Sequence, residues 1–227
     1  MTLSELIAQF RTLAFDKVEP YLFDDDSVIG WLNEAVKEAC IRGQLLHECD
    51  DVDICQIAIK AGQVKYPTHP QLYEITHASL ELTSINGGKR TPVCLVSFEE
   101  MDKADRDWRD DQDKHRLDPY FLIQHDTYVR LSRPTDEIGV LHLEVYRLPH
   151  KMSNDDDVPE IHLAHHEHLI DWALHKAFGV PDSEVFDLNK SEMAEQRFTN
   201  YFGFRPDSDL RRITRHDVPH TVKPFWV

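Results

Sequence analysis

The sequence predicts an α+β fold, with terminal helices that form a helical bundle, a small antiparallel β domain inserted between them, and an extended carboxyl-terminal arm. Three observations predict it. Apolar residues recur at helical spacing within 1–48 and 153–204. They alternate with polar residues over 49–152, a region that also holds one candidate short helix. Residues 205–227 contain three prolines and no apolar periodicity, which favours an extended segment.

The first two helices are indicated by apolar spacing and by candidate caps. Thr2 or Ser4 can cap the first helix, and Glu19-Pro20-Tyr21 ends it. Asp24-Asp25-Asp26-Ser27 offers cap oxygens and negative charge to the start of the second, and Gly43 is its expected end. The apolar residues are Leu3, Leu6, Ile7, Phe10, Leu13 and Ala14 in the first helix, and Val28, Leu32, Ala35, Val36 and Ala39 in the second.

The β domain is predicted as short strands separated by turn residues. Asn86-Gly87 is typical of a two-residue hairpin turn, because both central residues of that turn need a positive φ. Ser97 can cap a short helix that continues to Asp113, with Trp108 as its one large apolar anchor. The expected strands are 54–59, 64–66, 73–85, 93–96, 120–124, 128–131 and 140–148.

A helical hairpin is predicted within 153–204. Its first helix is expected to begin at Ile161 and to end at Phe178, and its second helix ends at Gly203. The first helix has an apolar stripe made of Leu163, Ile170, Ala173, Leu174, Ala177 and Phe178. The opposite side carries His165, His168, Trp172 and His175. A helix with two such faces needs two neighbours.

The composition excludes several classes of function. The 41 acidic residues against 25 basic ones give a net charge of −16, which disfavours general binding to nucleic-acid phosphates. No run of about 18 apolar residues could span a bilayer, and Met1-Thr2-Leu3 leads into a polar-interrupted helix rather than a signal peptide. We therefore expect a soluble protein, made in the cytosol, without a membrane partner. The four cysteines lack C-x-x-C spacing, so neither a disulfide framework nor a zinc knuckle is indicated.

The last 23 residues differ in charge from the rest of the chain. They carry five basic and three acidic residues, a net charge of +2, against −18 for the remainder. Fully extended, a segment of this length reaches on the order of 70 Å. Because Trp and Arg dominate binding energy at protein interfaces, this composition predicts a docking arm, and a frayed, disordered end is the alternative. The residues expected to dock are Arg211, Arg212, Arg215, Lys223, Pro224, Phe225, Trp226 and Val227.

A histidine cluster suggests a second class of function, a metal-dependent hydrolase. His162 and His166 are about one helical turn apart, and Glu160 lies close by. Their spacing is not the H-E-x-x-H arrangement, and the acidic runs lack the calcium-loop pattern. The sequence also has no G-x-S-x-G motif and no glycine-rich phosphate loop. It therefore favours packing or interface histidines, and predicts no catalytic residue, no metal site and no cofactor.

Several short stretches, taken in serial order, resemble one protein family. They span nearly the whole chain and read Pro20-Tyr21-Leu22-Phe23-Asp24-Asp25, Trp31-Leu32-Asn33-Glu34-Ala35, Val145-Tyr146-Arg147-Leu148-Pro149, Asp156-Asp157-Val158-Pro159-Glu160-Ile161, Pro181-Asp182-Ser183 and Tyr201-Phe202-Gly203. In this order they resemble the head-to-tail adaptor (connector) proteins of tailed bacteriophages. The histidines at 162, 165, 168 and 175 are not part of that pattern.

The resemblance implies a structural protein of the virion neck, made in the host bacterial cytoplasm. Twelve copies would form a ring beneath the portal protein and extend the DNA channel toward a tail nozzle, stopper or tail-tube protein, while double-stranded DNA passes without specific binding. Arg205–Val227 would dock on the portal. A ring subunit needs two neighbours, which makes His165, His168, Trp172 and His175 the expected subunit–subunit contacts. A monomeric tail-completion or chaperone-like binding protein is the alternative.

Overall fold

The fold is a mixed α+β arrangement, as the sequence predicts. A computed structural model describes residues 1–83, 89–104, 107–109, 120–181 and 185–206. The chain divides into two compact units. The first contains Met1–Glu48, Gln71–Glu74 and Tyr146–Pro206, and the described residues of the second lie within Cys49–Pro70 and Ile75–Val145. Within the described ranges, no helix combines the length and the apolar character needed to cross a membrane.

Helices and strands alternate irregularly along the chain. The helices are α1 (Leu3–Leu13), α2 (Asp25–Gly43), α3 (Val52–Cys55), α4 (Phe98–Ala104), α5 (His166–Phe178) and α6 (Leu188–Phe202), and a 3-10 turn at Leu163–His165 precedes α5. The strands are β1 (His47–Glu48), β2 (Gln56–Ile59), β3 (Lys65–Pro67), β4 (Leu72–Leu82), β5 (Thr91–Leu95), β6 (Phe121–Gln124), β7 (Tyr128–Leu131) and β8 (Gly139–Arg147).

The first unit is built from α1, α2, α5 and α6. Both amino-terminal helices begin at caps that the sequence indicates: Thr2 forms a capping box with Glu5, and the Asp24 side chain accepts from the Ser27 backbone N–H. Helix α5 packs against α1, α2 and α6. Their shared core includes the fully buried side chains of Phe10, Leu32, Leu169 and Phe198. Burying these large apolar side chains is what holds the four helices together.

The start of the carboxyl-terminal hairpin differs from the prediction. Helix α5 begins at His166 rather than Ile161, because the His162 ring caps a 3-10 turn by accepting from the Ala164 backbone N–H at 3.1 Å. Leu163, which was expected on the apolar stripe, lies in that turn and is exposed. His166, the first residue of α5, is buried instead, as are Leu169 and Ile170.

The second unit contains most of the sheet. The strand order of the sheet is β1-β8-β4-β5-β6-β7-β3, and β2, which is not part of this order, pairs with β8. Apolar residues alternate along β8, where Leu141, Leu143 and Val145 are buried, as the period of two predicts. Trp108 is also buried, packs beside Met101 and Ile123, and is therefore confirmed as the apolar anchor of its segment. The expected Asn86-Gly87 turn lies outside the described residues.

The prediction of a purely antiparallel β domain is wrong at one pair of strands. Strands β5 and β6 run parallel, with Cys94 opposite Phe121 and Leu95 opposite Leu122. Parallel neighbours need a long crossover, and the 25 residues of 96–120, which include α4, supply it. Helix α4 ends at Ala104, before the expected Asp113, and most of the remainder of that predicted helix lies outside the described residues.

Candidate docking surfaces

His165, in the turn before α5, and His168, in the first half of α5, contact the end of α6. The Nδ1 atom of His165 lies 3.1 Å from the Tyr201 hydroxyl oxygen, and that hydroxyl donates to the Ala164 carbonyl at 3.2 Å. The His168 ring stacks on the Tyr201 ring with 3.5 Å between centroids. These contacts hold the last turn of α6 against the start of α5. Burial lowers the pKa of His165 first, and the nearby rings of His162 and His168 lower it further, so His165 is neutral at neutral pH.

The carboxyl-terminal half of α5 is joined to α6 in the same way. The Trp172 ring lies 5.0 Å from the Phe198 ring, between centroids. The Ser191 hydroxyl donates to the His175 carbonyl at 2.9 Å. All four residues expected at a subunit–subunit interface therefore have partners on α6 of their own chain. Helix α6 thus meets the requirement for a second neighbour, and a role for His165, His168, Trp172 and His175 between copies stays a prediction.

The point where the chain leaves α6 is anchored by α2. Gly203 adopts a φ of +87°, which a glycine tolerates at a helix end. The Arg42 guanidinium donates to the Gly203 carbonyl at 3.2 Å, to the Thr199 hydroxyl at 2.8 Å and to the Glu38 carboxylate at 2.9 Å. Arg205, the first residue of the expected arm, lies 3.9 Å from the other oxygen of Glu38. The root of the arm is thus fixed to the first unit.

The predicted docking residues themselves lie farther along the chain. The positions are Arg211, Arg212, Arg215, Lys223, Pro224, Phe225, Trp226 and Val227, and all of them fall outside the described residues. Their role in docking stays a prediction that rests on the sequence.

A second fixed point joins the end of β8 to the segment that leads to α5. Arg147 makes a two-pronged ion pair with Glu160, at 3.0 and 2.9 Å, and its Nε atom lies 3.4 Å from Glu48. The backbone N–H of His150 donates to Glu160 at 2.7 Å. Burial raises the pKa of Glu160, but the hydrogen bonds from Arg147 and His150 outweigh it and bring that pKa to about 2.

Replacing Arg147 by methionine should lower the free energy of unfolding by about 1 to 3 kcal/mol at pH 7, between the values for exposed and buried ion pairs. Because the pKa of Glu160 falls to about 2 in the folded state, the ion pair stabilises fully above pH ~4.5 and loses its effect as the pH falls toward 2. Urea unfolding at pH 7 and pH 3 measures the free energy of unfolding of both proteins. The difference in this free energy between the variant and the wild type should be smaller at pH 3 than at pH 7.

The matched control for this prediction is Arg197→Met. It breaks a 2.7 Å ion pair with Asp171, but the Arg197 side chain is half exposed. An exposed pair contributes less than about 1 kcal/mol. If Arg147→Met and Arg197→Met lower the free energy of unfolding equally, the ion pairs of Arg147 with Glu160 and Glu48 do not have the structural role proposed for them.

The residues of the hydrolase hypothesis do not converge on a metal site. Both ring nitrogens of buried His166 have partners at 3.0 Å, the Met1 amino nitrogen and the Ile161 carbonyl. The Nδ1 atom of His162 accepts from the Ala164 backbone, and Glu160 is held by Arg147. Among the residues that the structure describes, no group of three or more His, Cys, Asp and Glu side chains is arranged to hold a metal ion. The hydrolase hypothesis has no assembled site in this part of the chain.

Comparison with known proteins identifies the family. A protein-family model described as "SU10 adaptor protein" matches residues 1–222. The chain belongs to the SU10 adaptor protein family. The resemblance to tailed-phage head-to-tail adaptors is thereby confirmed, and an SU10 adaptor is a structural protein of the virion rather than a member of an enzyme class. A search of the curated proteins gave no match.

Three arginines of this SU10 adaptor, Arg11, Arg42 and Arg147, join separate segments of the chain, and local sequence patterns indicate them only weakly. The i,i+4 spacing of Glu38 and Arg42 indicates an ion pair, but a solvent-exposed one, whereas both side chains are buried beneath α6. Arg147 is the last residue of β8, after the apolar residues of that strand. In the sequence, a charged residue at this position indicates that the strand ends there and does not indicate its ion-pair partners. Arg11 directly follows the buried Phe10 in the last turn of α1, and Asp16 and Phe23 in the following loop are among its partners.

Proposed function

We propose that this SU10 adaptor forms a ring of twelve copies in the virion neck, beneath the portal protein. The ring continues the DNA channel to a tail-side protein, which is a nozzle, a stopper or a tail-tube protein. The family match over residues 1–222 is the observation that carries the proposal. Each copy is made in the host bacterial cytoplasm and then joins the neck.

The proposed subunit has a helical bundle with an inserted β domain and a carboxyl-terminal arm. Its parts are 1–48 and 153–204 for the bundle, 49–152 for the β domain and 205–227 for the arm. The contacts of α5 with α1, α2 and α6 support the bundle. The compact unit that joins Met1–Glu48 with Tyr146–Pro206 supports the insertion of the β domain between two halves of it.

The charge of the chain suits a DNA conduit. A net charge of −16 repels phosphate, so double-stranded DNA passes through the ring without being held by it. A ring of twelve such subunits needs contacts strong enough to overcome repulsion between its members. The exposed edges of His165, His168, Trp172 and His175 are proposed to contribute to those contacts, beside their packing on α6.

Docking on the portal is assigned to the arm, Arg205–Val227. Arg42 and Glu38 fix its first residues to the bundle, so an arm bound to portal remains firmly joined to α2 and α6. Five basic residues and the Phe225-Trp226-Val227 terminus supply the charge and the aromatic surface that interface anchors use.

Deleting Pro219–Val227 should abolish binding to the portal protein, because it removes Phe225 and Trp226, and should leave the fold intact, because the segment has no apolar periodicity from which a core element could form. Co-sedimentation with purified portal measures the binding, and circular dichroism measures the fold. A second variant, Phe225→Ala with Trp226→Ala, removes only the aromatic anchors and should weaken binding at least 30-fold. Val222→Ala is the matched control and should bind as the wild type does. Unimpaired portal binding by the deletion variant would show that the arm does not dock.

The same mixture separates the ring from a monomeric tail-completion or chaperone-like protein. Mass measurement of the adaptor with and without portal should give an assembly with twelve adaptor copies when portal is present. A complex with a single adaptor copy would favour the alternative.

A further inference from the structure

The loop between α1 and α2 displays an exposed apolar surface. Phe15 is 87 % exposed and Val18 is 79 % exposed, and Leu13, the last residue of α1, and Leu22 are about half exposed. These four residues are called the apolar knob. Single exposed apolar side chains are ordinary, but four of them within ten residues of the chain are the density of apolar residues found at protein–protein contacts.

The apolar knob is held by a buried ion pair. The Asp16 carboxylate accepts from the Arg11 guanidinium at 2.7 Å and from the backbone N–H groups of Leu22 and Phe23 at 2.8 and 3.2 Å. Arg11 also donates to the Phe23 carbonyl at 3.1 Å and lies 3.6 Å from the centre of the Tyr21 ring. A loop fixed in this way presents its side chains without a large loss of conformational entropy on binding.

The backbone at the tip of the loop is strained. Phe15 has a φ of +59°, in the left-handed region that a bulky side chain rarely adopts. Such a conformation is unfavourable for a side chain of this size and persists where the surroundings impose it, most often at functional sites. Here it turns the Phe15 ring into solvent while Asp16, the next residue, is buried.

The charges around the apolar knob select the kind of partner. Glu19, Asp24, Asp25 and Asp26 are exposed and lie in or next to the same loop, and Lys17 is its exposed cation. Asp25 pairs with the buried Arg11 at 2.5 Å, so Glu19, Asp24 and Asp26 are the carboxylates not held by that arginine. Hydrogen bonds from the Ser27 backbone and hydroxyl lower the pKa of Asp24, which therefore stays ionised. The complementary surface is an apolar pocket with Lys or Arg at its rim. A second copy of this chain, with its net charge of −16, fits that description poorly.

The apolar knob lies at the opposite end of the helices from the root of the arm. Phe23, which closes the loop, is 6.4 Å from Phe178 in the last turn of α5, and the Phe178 carbonyl accepts from Asp187 at the start of α6. From there the 15 residues of α6 run roughly 22 Å to Gly203, where the arm begins. If the arm binds the portal protein at one end of the bundle, the apolar knob at the other end is available to a different protein.

We propose that the apolar knob docks into a basic-rimmed apolar pocket on the tail-side protein of the neck. The proposal rests on the proposed function for the direction of the arm, and it assigns the tail-side contact to Leu13, Phe15, Val18 and Leu22. Phe15 and Val18 enter the pocket, and the carboxylates of Glu19 and Asp26 meet the basic rim.

The test measures binding of each tail protein of the virion, purified singly, to the adaptor alone and to the adaptor–portal complex. Wild-type adaptor should bind one of them, and Phe15→Ser with Val18→Ser should weaken that binding at least 30-fold. Both positions are exposed, so the fold should be unchanged. Phe204→Ser is the matched control, since Phe204 is 85 % exposed at the other end of α6, and it should bind the tail protein normally.

A charge variant tests the rim without changing the apolar surface. Glu19→Lys with Asp26→Lys should weaken the same binding, and raising the salt concentration should weaken wild-type binding. All variants should still bind portal. If the wild-type adaptor does not bind portal, only the proposed function is contradicted. Binding of the tail protein to the adaptor alone still tests the role of the apolar knob.

Two results would overturn the proposal. One is tail-protein binding by the Phe15 and Val18 double variant that equals wild-type binding. The other is failure of that double variant to assemble into a ring on portal while the Phe204 control assembles, which would make a second copy of this chain the occupant.

Discussion

Replacing Asp16 by alanine is expected to lower the free energy of unfolding by about 3 to 5 kcal/mol, as removal of one member of a buried ion pair does. Asp16 is 2 % exposed and Arg11 is 7 % exposed. Alanine leaves the Arg11 guanidinium without its buried counter-charge and removes the acceptor of the Leu22 and Phe23 backbone N–H groups. Urea unfolding followed by circular dichroism should show the transition at a lower urea concentration.

Two further variants give this prediction its controls. Asp26→Ala removes an exposed carboxylate from the first turn of α2 and should change the free energy of unfolding by only about 0.5 kcal/mol. Asp16→Asn keeps one acceptor oxygen but loses the charge. The decrease in its free energy of unfolding should therefore lie between those of Asp16→Ala and Asp26→Ala. If Asp16→Ala unfolds at the same urea concentration as Asp26→Ala, the pair does not stabilise the loop.

The Asp16 prediction also bears on docking, since the same pair fixes the apolar knob. A variant with this loop released has to order it again on binding, which costs affinity. Asp16→Ala should therefore weaken tail-protein binding even in urea-free buffer where the fold remains intact. The side chains of the apolar knob itself act differently, because they contribute to binding and little to stability.

Local signals predicted the starts of the helices well where ordinary caps occur. Thr2 and Asp24 are common cap residues, and both act as caps in the structure. The start of α5 was misplaced because a histidine ring, at His162, takes the cap role and a 3-10 turn precedes the helix. A histidine is rarely a helix cap, so apolar spacing alone places Leu163 in α5, whereas the helix begins three residues later, at His166.

Features that depend on distant parts of the chain could not be predicted from local patterns. Alternation locates β5 and β6, but their parallel pairing depends on the crossover that joins them. The i,i+4 pair of Glu38 and Arg42 is visible in the sequence, whereas its burial depends on Thr199, 157 positions after Arg42. The two-faced character of α5 was predicted, but its second neighbour is α6, which follows it in the chain.

Replacing Phe198 by alanine is expected to lower the free energy of unfolding by about 3 to 5 kcal/mol, because it leaves a cavity in the centre of the first unit. Phe198 is fully buried, and its ring centre lies 5.0 Å from that of Trp172 and 4.7 Å from that of Phe202. The Arg42 guanidinium lies 5.2 Å from the same ring. The substitution should therefore loosen both the α5–α6 contact and the anchor at the root of the arm.

Hydrogen exchange distinguishes this local effect from general destabilisation. Peptides from α5 and α6 should exchange faster in Phe198→Ala, and those from β6 and β7 in the second unit should change less. Phe198→Leu keeps most of the volume and should cost about 1 to 2 kcal/mol. Met193→Ala, on the exposed side of the same helix, is the control and should stay within about 0.5 kcal/mol of wild type. Equal losses for Phe198→Ala and Met193→Ala would show that α6 does not hold α5 through this aromatic contact.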